Sequence, residues 1–142
     1  MEQPKSNIIL LVDDDEDDQL FFREQLYKHA PTYQVICLSN GEELLDDLAQ
    51  CRELPELILL DVNMPLLDGF EALSQIRADE AYKHIYIVMI TTAGRELERN
   101  KALFLGANQF MVKPTSIKES DELMQRLLQR WRDRVQETET FF

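Results

Sequence analysis

Apolar residues along this chain come in two alternating rhythms. Short runs of strand length are Ile8-Ile9-Leu10-Leu11-Val12, Val35-Ile36-Cys37-Leu38, Leu57-Ile58-Leu59-Leu60, Ile85-Tyr86-Ile87-Val88-Met89-Ile90 and Gln109-Phe110-Met111-Val112. Between them, apolar positions recur at helical spacing among charged ones. Leu20, Phe21, Phe22, Leu26 and Tyr27 mark a first helix, and Leu44, Leu45 and Leu48 a second, opened by Asn40-Gly41. Phe70, Leu73 and Ile76 mark a third that ends around Asp79, and a weaker fourth runs from Glu96 to Leu105, closed by Gly106. The last puts Leu123, Leu127, Trp131 and Val135 on one face, with Met124 and Leu128 beside them. Runs without polar alternation belong to strands buried on both faces, as in parallel sheets. Strand and helix alternate five times, which implies right-handed crossovers with helices on both faces of the sheet. The expected fold is α/β, a doubly wound five-stranded parallel sheet.

In such a sheet every strand points its carboxyl end at the same rim, where open α/β sheets place ligands. The first strand delivers Asp13 and Asp14 there, the third Asp61, the fourth Thr92 and the fifth Lys113. Three carboxylates crowded together raise one another's pKa unless a cation joins them, and Mg²⁺ is a hard, oxygen-seeking candidate. Lys113 can pair with Asp61 and then with a phosphoryl oxygen, and Thr92 can donate a hydrogen bond to another. Phosphoryl transfer needs mostly positioning and charge neutralisation, so Asp61 is a candidate nucleophile forming an acyl phosphate. Each residue also has a plainer reading. Thr92 could cap the following helix, Lys113 could be a solvated lysine before Pro114, and Asp15 to Asp18 read best as an acidic first turn complementing a helix dipole.

Composition narrows the field. The 142 residues suffice for one domain with a core, and 27 acidic against 15 basic residues give a net charge of -12. That balance argues against non-specific binding to nucleic acid or to an anionic membrane. Cys37 and Cys51 have no metal or redox spacing and are expected as reduced thiols. The polar start and the lack of any 18-residue apolar run make a cytoplasmic location the expectation.

Taken together, these residues resemble the receiver domain of two-component response regulators, the CheY-like family. Val12-Asp13-Asp14 resembles its acidic pair, Asp61-Val62-Asn63-Met64-Pro65 its phosphoacceptor motif, and Asp68-Gly69 the turn that follows. Thr92-Ala93 resembles its switch threonine with a small neighbour, and Gly106-Ala107 through Lys113-Pro114 its fifth strand and lysine. The resemblance covers roughly residues 7–134 and implies strand order 2-1-3-4-5. It implies that Asp61 accepts a phosphoryl group from a sensor histidine kinase or histidine phosphotransfer protein. Mg²⁺ would be held by Asp14, Asp61 and the backbone carbonyl of Asn63, with Asp13 helping through water. Thr92 would move on phosphorylation and Phe110 turn inward, reshaping the face of the fourth helix, fifth strand and fifth helix for a downstream partner. A cis peptide before Pro114 is also implied.

A stand-alone receiver spanning 1–142 is expected, with a short tail over 135–142 ending in Phe141-Phe142. The final helix could support a homodimer, although its apolar stripe reads better as the domain's own core. Other classes fit less well. A receiver-like interaction module that is never phosphorylated would not need so complete a rim. A haloacid-dehalogenase-type phosphatase wants a second Asp two residues after the nucleophile, where this chain has Asn63. The spacing of Asp13, Asp15, Asp17 and Glu24 imitates an EF-hand loop, but Asp18 stands where that loop needs glycine.

Overall fold

The computed structural model describes residues 6–140, the last five by their backbone alone. Five parallel strands, β1 (Ile8–Val12), β2 (Gln34–Leu38), β3 (Leu57–Asp61), β4 (Tyr86–Thr91) and β5 (Gln109–Val112), lie in the order β2-β1-β3-β4-β5. Five helices connect or follow them: α1 (Glu16–His29), α2 (Gly41–Gln50), α3 (Gly69–Ala78), α4 (Glu96–Phe104) and α5 (Ile117–Thr140). The order reverses beside β1, which leaves a crevice at the carboxyl ends of β1 and β3.

Both sheet faces are covered, which is why the strands carry apolar residues at every position. On one face Phe22 and Leu26 of α1 and Met124, Leu127, Leu128 and Trp131 of α5 bury Ile9, Leu11, Leu57, Leu59 and Val88. On the other, Leu44 and Leu48, Leu73 and Ile76, and Ala102 of α2, α3 and α4 bury Leu10, Ile58, Leu60 and Met89. Trp131 is buried, its ring edge-on to Tyr33 at 5.2 Å, so the α5 stripe belongs to the domain's own core. The helix itself continues to Thr140, through residues expected as tail; Phe141-Phe142 lie outside the described residues.

Side chains set the helix starts. Asp15, Asn40 and Asp68 accept from the backbone N–H of Asp18, Glu43 and Glu71 at 2.9 to 3.0 Å, each satisfying a donor the helix cannot. Helix α4 starts at Arg95 without such a bond and buries only Ala102, matching its weak pattern in the sequence. Thr92 therefore does not cap it. No cis peptide bond occurs among the described residues, so the expectation at Pro114 is corrected to trans, the intrinsically favoured isomer even before proline.

The amino-terminal edge of the sheet is tied by Arg77. From the last turn of α3 its guanidinium donates to the carbonyls of Gly106 (2.9 Å), Tyr82 (3.2 Å) and Ile85 (2.8 Å) and to Asn108 Oδ1 (2.9 Å). Asn108 Oδ1 also accepts from the Ile87 N–H at 2.8 Å. Gly106 closes α4 at φ +107°, a conformation that favours glycine, and packs directly on the Arg77 stem.

Candidate functional site

At the opposite, carboxyl-terminal edge, register alone brings the acids together. Val12 pairs with Leu60, so Asp13, the next residue along, lies level with Asp61 at the strand ends. Carboxylate oxygens of Asp13, Asp14 and Asp61 lie within 4.8 Å of one another, with Asp13 and Asp61 buried and Asp14 exposed. Asp13 is braced by its surroundings. Its Oδ1 accepts the Asp15 N–H at 3.0 Å, and Gln19 Nε2 donates to the carbonyls of Asp13 and Leu38 at 2.5 and 3.2 Å.

Burial pushes Asp61 up to about 7, reinforced by the charge of Asp13 and opposed by Lys113. Burial also raises Asp13, although its bond to Lys113 works the other way. Crowding of like charges, the cause read from the sequence, contributes but is secondary to desolvation.

Lys113 follows β5, its backbone N–H donating to the Thr91 carbonyl at 2.7 Å. Its ammonium lies 2.8 Å from Asp13 Oδ2 and 3.7 Å from Asp61 Oδ1, so it is part of the rim and not a solvated lysine. It also lies 2.7 Å from Asp18 Oδ2. Asp18 is therefore more than a first-turn acid, and the sequence pattern missed its second role. Burial disfavours the Lys113 charge, yet its bonds to Asp13 and Asp18 outweigh this and raise its pKa.

The remaining residues are more loosely placed. Strand β4 ends at Thr91, which is fully buried; Thr92 stands one residue beyond it and is exposed. The Thr91 hydroxyl accepts the Ala93 N–H at 3.3 Å. Asn63 is exposed in the turn after β3, and Phe110 is half-buried on β5, packed on the core beneath α4. That turn is tight: Leu66 adopts φ 68°, and the Leu67 carbonyl accepts the Gly41 N–H at 3.1 Å.

Gly69 closes the turn onto the site. A Cβ there would lie 2.2 Å from the Asp61 carbonyl oxygen, backbone against backbone. Gly69→Ala should therefore push α3 away from Asp61 and cost about 1–3 kcal/mol, read by urea denaturation. A loss below the error of that measurement would mean that the turn relaxes freely.

The sequence model of the response regulator receiver domain matches residues 9–128. The chain belongs to this family. Among solved structures, this receiver domain superposes on the phosphorylated cyanobacterial phytochrome response regulator RcpA with a TM-score of 0.80 at 27% identity, covering 87% of this chain and 92% of that one. A Mn²⁺-bound form of response regulator Rcp1 gives 0.79 at 30% identity, covering 90% and 94%. The alkaline phosphatase synthesis transcriptional regulatory protein PhoP of Bacillus subtilis is 38% identical over 98 residues, 69% of this chain and 39% of PhoP. The probable methanogenesis regulatory protein FilR2 of Methanothrix harundinacea is 29% identical over 135 residues, 92% of this chain and 87% of FilR2. Several curated relatives are longer: the chain spans 38% of the probable transcriptional regulator ycf27 of Pyropia yezoensis. No helix among the described residues is long and apolar enough to cross a membrane.

Proposed function

We propose that Asp61 is the phosphoacceptor of a two-component phosphorelay, charged by a sensor histidine kinase or a histidine phosphotransfer protein. The observation that carries this reading is the buried Asp61 carboxylate, set among Asp13, Asp14 and the Lys113 ammonium at the mouth of a receiver fold. An Asp61 oxygen would attack the phosphorus as the bond from phosphorus to the donor nitrogen or oxygen breaks, leaving an acyl phosphate. Lys113 would take up a phosphoryl oxygen. A strand-end hydroxyl would bond another. The sequence motif assigns that role to Thr92, which stands exposed one residue beyond β4, whereas Thr91 is fully buried with its hydroxyl bonded to the Ala93 N–H; alanine variants of each distinguish them.

The donor set fits Mg²⁺: the carboxylate oxygens of Asp13, Asp14 and Asp61 are hard donors close enough to share one ion. Asp13, Asp14, Asp61 and the Asn63 backbone carbonyl would hold it. When bound it supplies charge neutralisation between Asp61 and the phosphoryl oxygens. That the similar response regulator Rcp1 has a Mn²⁺-bound form supports a divalent ion as the ligand.

The output would be a population shift between two packings, read by a protein partner at α4, β5 and α5. Leu97, Phe104, Val112 and Ile117 are exposed there, and Phe110 lies at its edge. A homodimer through the same face is the alternative occupant. In this reading the protein acts in the cytoplasm as a signalling module. It has no catalytic activity beyond gaining and losing its own phosphoryl group.

The test is intact mass after incubation with acetyl phosphate, comparing wild type with Asp61→Asn, each with Mg²⁺ and with chelator. One added phosphoryl mass is expected in wild type with Mg²⁺, none in the variant or with chelator. Equal labelling of Asp61→Asn would move the acceptor elsewhere. Absence of any gain, together with no detectable Mg²⁺ binding, would instead favour a receiver-like interaction module.

A further inference from the structure

The Lys113 ammonium is not centred on Asp61. Its Nζ lies 2.7 Å from Asp18 Oδ2 and 2.8 Å from Asp13 Oδ2, against 3.7 Å from Asp61 Oδ1. The first two are charge-assisted hydrogen bonds, and the third is beyond hydrogen-bond length. Asp18 is held for this contact. Its backbone N–H bonds the Asp15 side chain at 3.0 Å, and the neighbouring Gln19 ties the same turn to the carbonyls of Asp13 and Leu38. The carboxylate thus reaches from the first turn of α1 to a lysine 95 residues away in the sequence.

We propose that Asp18 is a positioning residue that holds the Lys113 ammonium off Asp61 in the unphosphorylated protein and yields it to the phosphoryl group. This rests on the reading of Asp61 as phosphoacceptor. Asp13 belongs to the three-carboxylate cluster, whereas Asp18 lies outside it and competes for the lysine as a further anion. An incoming phosphoryl group carries about 1.5 to 2 negative charges, more than the single carboxylate it displaces, so the exchange favours the phosphorylated state. Before that exchange, the donor meets a lysine already engaged. Removing the Asp18 charge leaves Asp13 as the one short ion pair and loosens the ammonium toward the donor.

The experiment uses the full chain as wild type, Asp18→Asn, Asp18→Glu and Asp17→Asn. Phosphorylation by acetyl phosphate with Mg²⁺ is followed by intact mass across donor concentrations. The Lys113 ammonium is followed by ¹⁵N NMR without donor. Asp18→Asn should lower the half-saturating donor concentration about five-fold, the scale of one partly exposed ion pair, with little change in the saturated rate. Its Lys113 signal should move. Asp18→Glu, which keeps the charge, should stay near wild type. So should Asp17→Asn, which removes an exposed charge from the same turn.

The proposal is overturned if either change is missing in Asp18→Asn, or if Asp17→Asn reproduces both. If wild type takes up no phosphoryl group and binds no Mg²⁺, the phosphoacceptor reading fails, and the Lys113 signal alone decides the contact. A shift in Asp18→Asn but not in Asp17→Asn then supports it, and an unmoved signal overturns it.

Discussion

Asp61→Asn is expected to be more stable than wild type, by a margin that widens as the pH rises. The folded-state pKa of Asp61 is pushed up to about 7 from an ordinary 3.8, by burial first and by Asp13 second. Below the lower value the carboxyl is protonated in both folded and unfolded chains and carries no penalty. Between the two, the unfolded chain has released its proton while the folded one keeps it, so stability falls with rising pH. Above about 7 the folded protein carries the full cost of an ionised, buried carboxylate. Asparagine resembles the protonated form and is blind to this titration. At about 1.4 kcal/mol per unit, its advantage should grow by roughly 2 kcal/mol between pH 5.5 and pH 8. Urea denaturation of both proteins at the two pH values, with chelator present, measures it. An advantage independent of pH would show that the charge at Asp61 is already compensated. Saturating Mg²⁺ at pH 8 should narrow the gap, since a ligand at a hundred times its Kd adds about 2.7 kcal/mol to wild type alone.

The second large effect lies at the other end of the sheet. Arg77→Met should cost about 3–5 kcal/mol, because hydrogen bonds to a charged group are each worth about 1.5–3 kcal/mol and water can replace some of them at a half-buried site. Methionine keeps the stem that packs on Gly106 while removing every donor to the Gly106, Tyr82 and Ile85 carbonyls and to Asn108. Those acceptors start β4 and β5, whereas Asp61 lies where the strands end. Stability should therefore fall while phosphorylation of the folded fraction is preserved. Arg77→Lys, with one ammonium in place of a planar fork, should fall between. A loss under about 1 kcal/mol for Arg77→Met would mean that solvent satisfies these carbonyls as well as the guanidinium does.

Arg77 also shows why parts of this molecule were illegible in the sequence. An arginine in the last turn of an amphipathic helix looks like a solvated charge that complements the dipole. Its partners, 5 to 31 residues away, become visible only once α3 is packed against the sheet. Asp18 is a similar case at longer range. Its position in an acidic first turn was a sufficient explanation, and nothing in the local pattern marks its contact with Lys113. The strand boundary at Thr91 is a third: two adjacent threonines carry the same propensity, and register with β5 decides which of them ends the ladder.

What the sequence determined by itself was everything that follows from periodicity and from chain direction. Unbroken apolar runs demanded strands covered on both faces, and alternation with helices demanded parallel pairing. Parallel pairing then sent Asp13, Asp61 and Lys113 to one rim without any distance being known. The tertiary structure alone decided how those groups share their charge: that Asp61 is perturbed mainly by burial, and that Lys113 is bonded to Asp13 and Asp18 while standing 3.7 Å from Asp61. The reason is one of scale. Placement at a rim depends on where each apolar run ends, which the sequence pattern fixes, since sliding a strand further along its axis would draw its terminal carboxylate into the core. Partner choice at the rim turns on about 1 Å of side-chain reach, and only the placing of the first turn of α1 beside the residue that follows β5 sets that.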